Sequence, residues 1–152
     1  MIIIFEKYLQ TPTIESIDYN KDFDDVVNLM DIIFPDTADD DWHREYLDEI
    51  VDWNLSVKLV VDGEIIGFNL FSEHDYPKLD GNGVHCVALG ILPEYRDMGW
   101  GKMLINYPYE KFKNKYDYLW AQHFKHLNNI HHWAKRHKVV DEGPIYVTYT
   151  YL

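Results

Sequence analysis

The spacing of apolar residues predicts strands and helices that alternate along most of the chain. Helical spacing covers 22–34, which Pro35 ends, and recurs over 42–53. Short apolar or alternating runs predict strands at 13–19, 57–61, 65–71, 84–92, 118–124 and 145–151. Two further helices are expected over 102–115 and 127–138. Asp62-Gly63 supplies a two-residue hairpin turn between the strands on either side of it.

This order of elements is typical of an α/β (α+β) chain built on a mixed sheet. Met1 to Leu9 predicts one more strand, an N-terminal extension over 1–10, so the sheet has about six to seven strands flanked by about four helices. Pro108 lies well inside a predicted helix, and we expect it to kink or split that helix because proline donates no backbone hydrogen bond. The length of 152 residues, without repeats, predicts a single domain, 1–152.

Composition narrows the function classes. The chain is 47% hydrophobic and contains 5 Trp, 12 Tyr and 7 Phe, which is typical of a globular core. No apolar run approaches the roughly 18–20 residues of a membrane helix, so no membrane partner is expected. The start has no basic leader of a signal peptide, and the single cysteine, Cys86, fits a reducing compartment. We therefore expect a cytoplasmic protein.

The charge is unevenly distributed. The net charge of −12 argues against a nucleic-acid partner. Residues 1–83 contain 20 acids and 5 bases, whereas residues 84–152 contain 6 acids and 9 bases. This asymmetry is either ordinary surface charge or the mark of two substrates, an anionic one on the basic half and a cationic one on the acidic half.

The most informative segment follows the apolar run of 84–92. After Pro93 comes Arg96-Asp97-Met98-Gly99-Trp100-Gly101-Lys102, and a predicted helix begins there. A strand, a glycine-containing turn and a helix N-terminus together make an anion site, because several N–H groups converge beside the positive end of the helix. The segment predicts a ligand that carries phosphate.

This segment also resembles the signature of the GNAT superfamily of N-acetyltransferases, Arg-x-x-Gly-x-Gly, preceded by a Val-x-Pro-x-Tyr pattern that stands here as Ile91-Leu92-Pro93-Glu94-Tyr95. The order of elements fits that family from about Thr13 to the C-terminus. The resemblance implies a GNAT-like splayed sheet, acetyl-CoA as co-substrate, and acetyl transfer to a primary amine by direct attack in a ternary complex.

The resemblance also implies which residues contact coenzyme A. The turn that holds the pyrophosphate corresponds to Arg96, Asp97, Met98, Gly99, Trp100, Gly101 and Lys102. Backbone groups of Leu89 and Ile91 correspond to those that hold the pantetheine arm and the thioester carbonyl. Asn128 or Asn129 corresponds to the residue that begins the late helix and contacts the coenzyme, whereas an ungapped count gives His126.

The catalytic groups match the family less well. His85 stands where many members carry a Glu that helps to deprotonate the amine; Glu73 and His74 are alternatives, and His85 could equally be a structural histidine. Trp133 stands at the position of the usual general-acid Tyr, and an indole cannot supply that proton. Either His132 or Tyr107 replaces it, or the thiolate leaves unaided, or the chain is not an acetyltransferase.

Five histidines between 123 and 137 raise the question of a metal site. No two of them are four residues apart, so no metal site is predicted and a polar helix face is favoured.

The resemblance also implies where the acceptor binds. The family places the first two helices beside the acceptor, where Asp36, Asp39, Asp40 and Asp41 predict a cationic amine: a polyamine, an aminoglycoside, a lysine side chain or a peptide amine. The alternatives are an inactive CoA-binding module and a transferase of longer acyl groups. The oligomeric state stays open.

Overall fold

The computed structural model describes residues 11–38, 41–127 and 130–152. Its seven strands are β1 (Thr13–Ser16), β2 (Val57–Val61), β3 (Glu64–Ser72), β4 (Gly83–Ile91), β5 (Tyr118–Phe124), β6 (Lys138–Asp141) and β7 (Ile145–Tyr151). Its helices are α1 (Tyr19–Ile33), α2 (Trp42–Ile50), α3 (Gly101–Lys111) and the single turn α4 (His131–Ala134). The predicted α/β class with a mixed sheet is confirmed, with three longer helices against the expected four. The strand predicted over 1–10 lies outside the described residues.

The strands form one sheet in the order β1-β2-β3-β4-β5-β7-β6. Every neighbouring pair is antiparallel except β4 and β5, which are parallel. The β2–β3 hairpin turns at Asp62 and Gly63, both with positive φ (53° and 78°), as the Asp-Gly pair predicts. None of the described helices is long and apolar enough to span a membrane.

The junction of β1 and α1 differs from the sequence prediction. The strand ends at Ser16 rather than residue 19, and the helix begins at Tyr19 rather than residue 22. The reason is Asp18, whose carboxylate accepts hydrogen bonds from the N–H groups of Asn20 and Lys21 and so caps the helix. Pro35 ends α1 as predicted and begins a short 3-10 turn, Pro35–Thr37.

Helices cover both faces of the sheet. Val26 of α1 and Leu47 of α2 are fully buried against a face that contains Phe68 and Leu70. The alternate residues of β3 point the other way, where Leu104 of α3 packs. The two faces are therefore separately closed, and the sheet separates α1 and α2 from α3.

Pro108 does not split α3, the second of the two outcomes that the sequence predicted for it. The helix runs through it to Lys111, with Pro108 buried. Proline leaves the carbonyl of the residue four positions earlier, Leu104, without its helical donor. The side-chain amide of buried Asn69 on β3 donates to that carbonyl at 2.9 Å. A tertiary contact thus replaces the missing helical bond.

The C-terminal third also contains an error of prediction. Of the helix expected over 127–138, the structure describes only the turn His131–Ala134. Residues 138–141 form β6, which the sequence analysis missed, and they pair with β7 from Lys138–Tyr149 to Asp141–Tyr146. The sheet therefore has one strand, β6, beyond the six that the sequence predicts within the described residues.

Candidate active site

A wedge-shaped gap opens where β4 and β5 separate. The two strands pair from Gly83–Tyr118 to Cys86–Ala121, and their remaining residues do not pair. At the same level the register between β3 and β4 shifts, because Leu70 pairs with Ala88 and Phe71 with Cys86. The extra residue is Val87, so a β-bulge bends β4 at the point of separation.

The gap continues into a cavity of about 200 Å³. One side is formed by the diverging strands, and the other by the end of α1, the 3-10 turn and α2. The residues that line it are Met30, Phe34, Thr37, Trp42, Tyr46, His85, Cys86, Val87, Ala88, Leu89, Ala121, Gln122, His123, Phe124, Leu127, Trp133 and Ile145. Its lining, as far as the described residues form it, contains no Asp, Glu, Lys or Arg.

Close packing fixes one wall of the cavity. A Cβ atom on Gly90 of β4 would lie 2.8 Å from Cγ2 of Ile33 and 3.6 Å from Cε2 of Phe34. Only a residue without a side chain lets the end of α1 approach β4 this closely. The wall that carries Phe34 and Thr37 is therefore held directly against the strand.

The backbone of β4 turns hydrogen-bonding groups toward the gap. The N–H of Leu92 donates to the carbonyl of Ile66 in β3 at 2.8 Å. Because successive residues of a strand alternate, the N–H and C=O groups of Leu89 and Ile91 face away from β3. The Ile91 carbonyl accepts a hydrogen bond from Nε of Arg96 at 3.1 Å, which agrees with this direction. The two positions named from the sequence thus border the side that β5 vacates.

The turn after β4 presents a series of unpaired amides. Asp97 and Gly99 have positive φ (67° and 80°), and α3 begins at Gly101 without a side-chain cap and without an acidic residue in its first turn. Within the part of the chain that the structure describes, the N–H groups of residues 97–102 have no hydrogen-bond acceptor. Such amides at a helix N-terminus are suited to bind an anion. Arg96 and Lys102 are exposed beside them.

His85 lies in the wall of the cavity. Its ring stacks on Trp120 at 4.2 Å, it is 4% exposed, and it forms no hydrogen bond with a described residue. Burial, with a smaller contribution from His74, lowers its pKa to about 4. The imidazole is therefore neutral at pH 7. The alternatives lie outside the cavity lining: Glu73 accepts a hydrogen bond from Tyr116, and Nδ1 of His74 lies 2.5 Å from Oγ of Ser72.

The candidates for a general acid are dispersed. Trp133 lines the cavity, with its ring 5.4 Å from that of His123 and 5.1 Å from that of His137. Tyr107 packs against Phe71 and Phe112 and does not reach the cavity lining. The side chain of His132, and Asn128 and Asn129 entirely, lie outside the described residues, as do Asp39 and Asp40.

The histidines whose side chains the structure describes do not form the polar helix face that the sequence favoured. His123 and His137 are buried, and burial lowers the pKa of each to about 4. Nε2 of His123 lies 2.8 Å from Oγ1 of Thr148, and Nε2 of His137 contacts the Tyr109 hydroxyl. No group of three or more His, Cys, Asp or Glu among the described residues is placed to hold a metal ion. Burial raises the pKa of Cys86 to about 12, so this thiol is unreactive packing.

Comparisons with known proteins agree with this geometry. A family model described as the acetyltransferase (GNAT) family matches residues 23–137. Among solved structures, the PaiA N-acetyltransferase of Thermoplasma acidophilum in complex with coenzyme A is 13% identical, with a TM-score of 0.68 over 93% of this chain and 99% of that one. Aminoglycoside 6'-acetyltransferase type Ii is 19% identical, with a TM-score of 0.70 over 91% and 96%.

A third solved structure, Arabidopsis thaliana Naa50 with the bisubstrate analogue CoA-Ac-MVNAL, is 15% identical, with a TM-score of 0.66 over 91% of this chain and 97% of that one. At these identities the solved structures show a shared fold. A search of curated protein sequences finds no match.

Proposed function

The chain belongs to the GNAT acetyltransferase family, and we propose that it transfers an acetyl group from acetyl-CoA to a primary amine by direct attack in a ternary complex. The observation that carries the proposal is the series of unpaired amides of residues 97–102 beside the gap between β4 and β5. The two features are joined by one strand end, so a ligand with a diphosphate at the turn can extend its other end into the cavity.

In this proposal the amides from Asp97 to Lys102 bind the pyrophosphate, and Arg96 and Lys102 add positive charge. Space supports this assignment: a Cβ atom on Gly99 or Gly101 would meet no protein atom within 4 Å. The backbone groups of Leu89 and Ile91 take the place of the missing β5 partner and hydrogen-bond the pantetheine arm. Donors fixed in a dry cleft also stabilise the oxyanion that forms when an amine attacks the thioester.

We assign the acceptor to the side of the cavity formed by α1, the 3-10 turn and α2. His85, neutral and without a hydrogen-bond partner among the described residues, accepts a hydrogen bond from the amine and orients its lone pair toward the thioester. Trp133 borders the same space and has no acidic proton to give the leaving thiolate. This favours departure as the thiolate.

The acceptor is proposed to be cationic. Asp36 and Asp41 are exposed on the segment that joins α1 and α2, and this segment also contributes Thr37 to the cavity wall. Since the described lining of the cavity carries no charged residue, the acidic groups act at its rim, where they raise the local concentration of cations. Asp36→Asn combined with Asp41→Asn should raise the KM of the acceptor and flatten its salt dependence. The charge-matched control is Asp62→Asn combined with Glu64→Gln, on the β2–β3 hairpin. Equal effects of the two double variants would refute the proposal that the acidic rim attracts the acceptor.

The activity is tested by release of the CoA thiol from acetyl-CoA in the presence of polyamines, aminoglycosides, lysine and short peptides. We expect amine-dependent thiol release and a product heavier than the amine by one acetyl group. Trp133 is the observation that favours a second candidate, an inactive CoA-binding module. That candidate predicts binding of coenzyme A without turnover of any amine, and acyl-CoAs of increasing length test the third candidate, transfer of a longer acyl group.

A further inference from the structure

Three side chains form a continuous hydrogen-bonded chain from the protein surface to the cavity. The Asp31 carboxylate lies 2.6 Å from Nδ1 of His43, and Nε2 of His43 lies 2.7 Å from Oγ1 of Thr37. Asp31 is on α1, His43 on α2 and Thr37 on the turn between them. Asp31 is 46% exposed, His43 is 1% exposed, and Thr37 lines the cavity.

The positions of the protons along these hydrogen bonds follow from which groups can donate and which can accept. An ionised carboxylate only accepts, so Nδ1 of His43 carries the hydrogen and Nε2 of the neutral ring is an acceptor. The Thr37 hydroxyl must then donate to Nε2 at 2.7 Å rather than to the carbonyl of Phe34, which is 3.3 Å away. If His43 becomes protonated, Nε2–H donates to Thr37 instead, and the hydroxyl proton is free to turn to Phe34. Both protonation states of His43 are therefore fully hydrogen-bonded.

The proposed reaction needs a proton acceptor of this kind. A lysine-type amine has a pKa of about 10.4 and must lose a proton before it attacks. His85 has no carboxylate partner among the described residues, and its pKa of about 4 makes it a weak base. His43 differs from His85 in its geometry: a carboxylate, that of Asp31, lies 2.6 Å from its Nδ1, and its Nε2 is held against a hydroxyl that lines the cavity.

We propose, on the basis of the acetyltransferase function proposed above, that Thr37 and His43 form a proton relay that deprotonates the acceptor amine. The ammonium gives one proton to Oγ1 of Thr37 while the Thr37 hydroxyl gives its own proton to Nε2 of His43. The amine keeps the electron pair of the broken N–H bond and attacks the thioester carbonyl with it. The C–S bond then breaks, its electron pair leaves with the thiolate, and the thiolate takes the second N–H proton of the adduct. Asp31 positions the ring and holds its positive charge. After the products leave, Nε2 returns the proton through the Thr37 hydroxyl to water in the cavity, and the relay is reset.

Among the charged residues that the structure describes, Asp31 is the direct partner of His43. On α2, Arg44 pairs with Asp24 of α1 at 2.8 Å, and Asp41 and Asp31 both act on its guanidinium at longer range. The indole of Trp42, 5.3 Å from His43, is the ring packed against the imidazole. Because Arg44 is engaged with Asp24, it does not take the place of His43 at Asp31.

The test compares Thr37→Val with Thr37→Ser. Valine keeps the shape and removes the hydroxyl, whereas serine keeps the hydroxyl. We expect kcat/KM for the amine at pH 7 to fall about 100-fold in the valine variant, the size of a typical general-base contribution, and to stay within about threefold of wild type in the serine variant. The KM for acetyl-CoA should be unchanged in both. The thermal unfolding midpoint should stay at the wild-type value in the serine variant and fall in the valine variant, because Nε2 of the buried His43 ring then loses its partner.

Two further readouts separate a relay from a purely structural contact. The deficit of Thr37→Val should shrink as the pH approaches about 10, because the amine then enters without its extra proton. Asp31→Asn, an exposed change, should also reduce kcat/KM at pH 7 without loss of fold. If Thr37→Val has the wild-type kcat/KM for the amine, or if its deficit in kcat/KM is constant with pH, the relay is overturned. A wild-type protein that binds coenzyme A and acetylates no amine overturns the proposed function instead, and the relay with it.

Discussion

The contact between Asn69 and Leu104 predicts that Pro108 and Asn69 are energetically coupled. Asn69→Ala leaves the Leu104 carbonyl without a donor, since Asn69 is 1% exposed and water does not replace it. An unsatisfied buried carbonyl and the truncated side chain together should cost about 2–4 kcal/mol of unfolding free energy. Adding Pro108→Ala restores a backbone N–H four residues after Leu104, and the double variant should recover about 1–2 kcal/mol of that loss.

Urea unfolding followed by far-UV circular dichroism measures this cycle. The single variant Pro108→Ala supplies the control, because the general gain in helix propensity appears in both backgrounds and cancels in the coupling energy. In wild type the Leu104 carbonyl already has a donor, so Pro108→Ala should help less there than in the Asn69→Ala background. Free energies that add within about 0.3 kcal/mol would refute the explanation of why α3 continues through its proline.

Two further predictions concern the cavity wall and pH. Gly90→Ala places a Cβ atom 2.8 Å from Ile33, so it should destabilise the fold by about 1–3 kcal/mol and raise the KM of the acceptor, with coenzyme A affinity unchanged; equal losses at both substrates would contradict this account of the wall. Burial lowers the pKa values of His85, His123 and His137 from 6.5 to about 4. As the pH falls, these imidazoles are therefore protonated in the unfolded chain before they are protonated in the folded chain. The contribution of these three histidines to the free energy of unfolding is therefore fully present above pH 6.5 and should decline as the pH falls toward 4. Urea unfolding at several pH values measures this decline, and constant stability over that range would contradict it.

Local patterns predicted most of the sheet and three of the helices. The strands 57–61 and 118–124 agree with the structure at both ends, because each alternates or runs apolar between clear turn residues. The missed strand, Lys138–Asp141, is a mostly exposed edge strand, so its sequence carries little apolar signal. Its first residue, Lys138, was assigned to the predicted helix over 127–138.

Tertiary contacts explain what the sequence did not predict. The rule that proline splits a helix is local, whereas the amide that rescues α3 comes from Asn69, 35 residues before Leu104. The chain from Asp31 through His43 to Thr37 has no recognisable spacing, because it depends on how α1 and α2 pack. The turn of 96–102 is different: the role proposed for it depends on consecutive backbone amides, so its residues could be proposed together from one short motif.

Calorimetric titration with coenzyme A tests the central claim most directly. We expect one site per chain in the wild type and at least a roughly tenfold loss of affinity in Gly101→Val, because the added side chain meets the bound anion. That variant should keep its fold, because a Cβ atom there meets no protein atom within 4 Å. No binding by the wild type, or equal binding by a folded Gly101→Val, would contradict the assignment of the turn amides to the coenzyme.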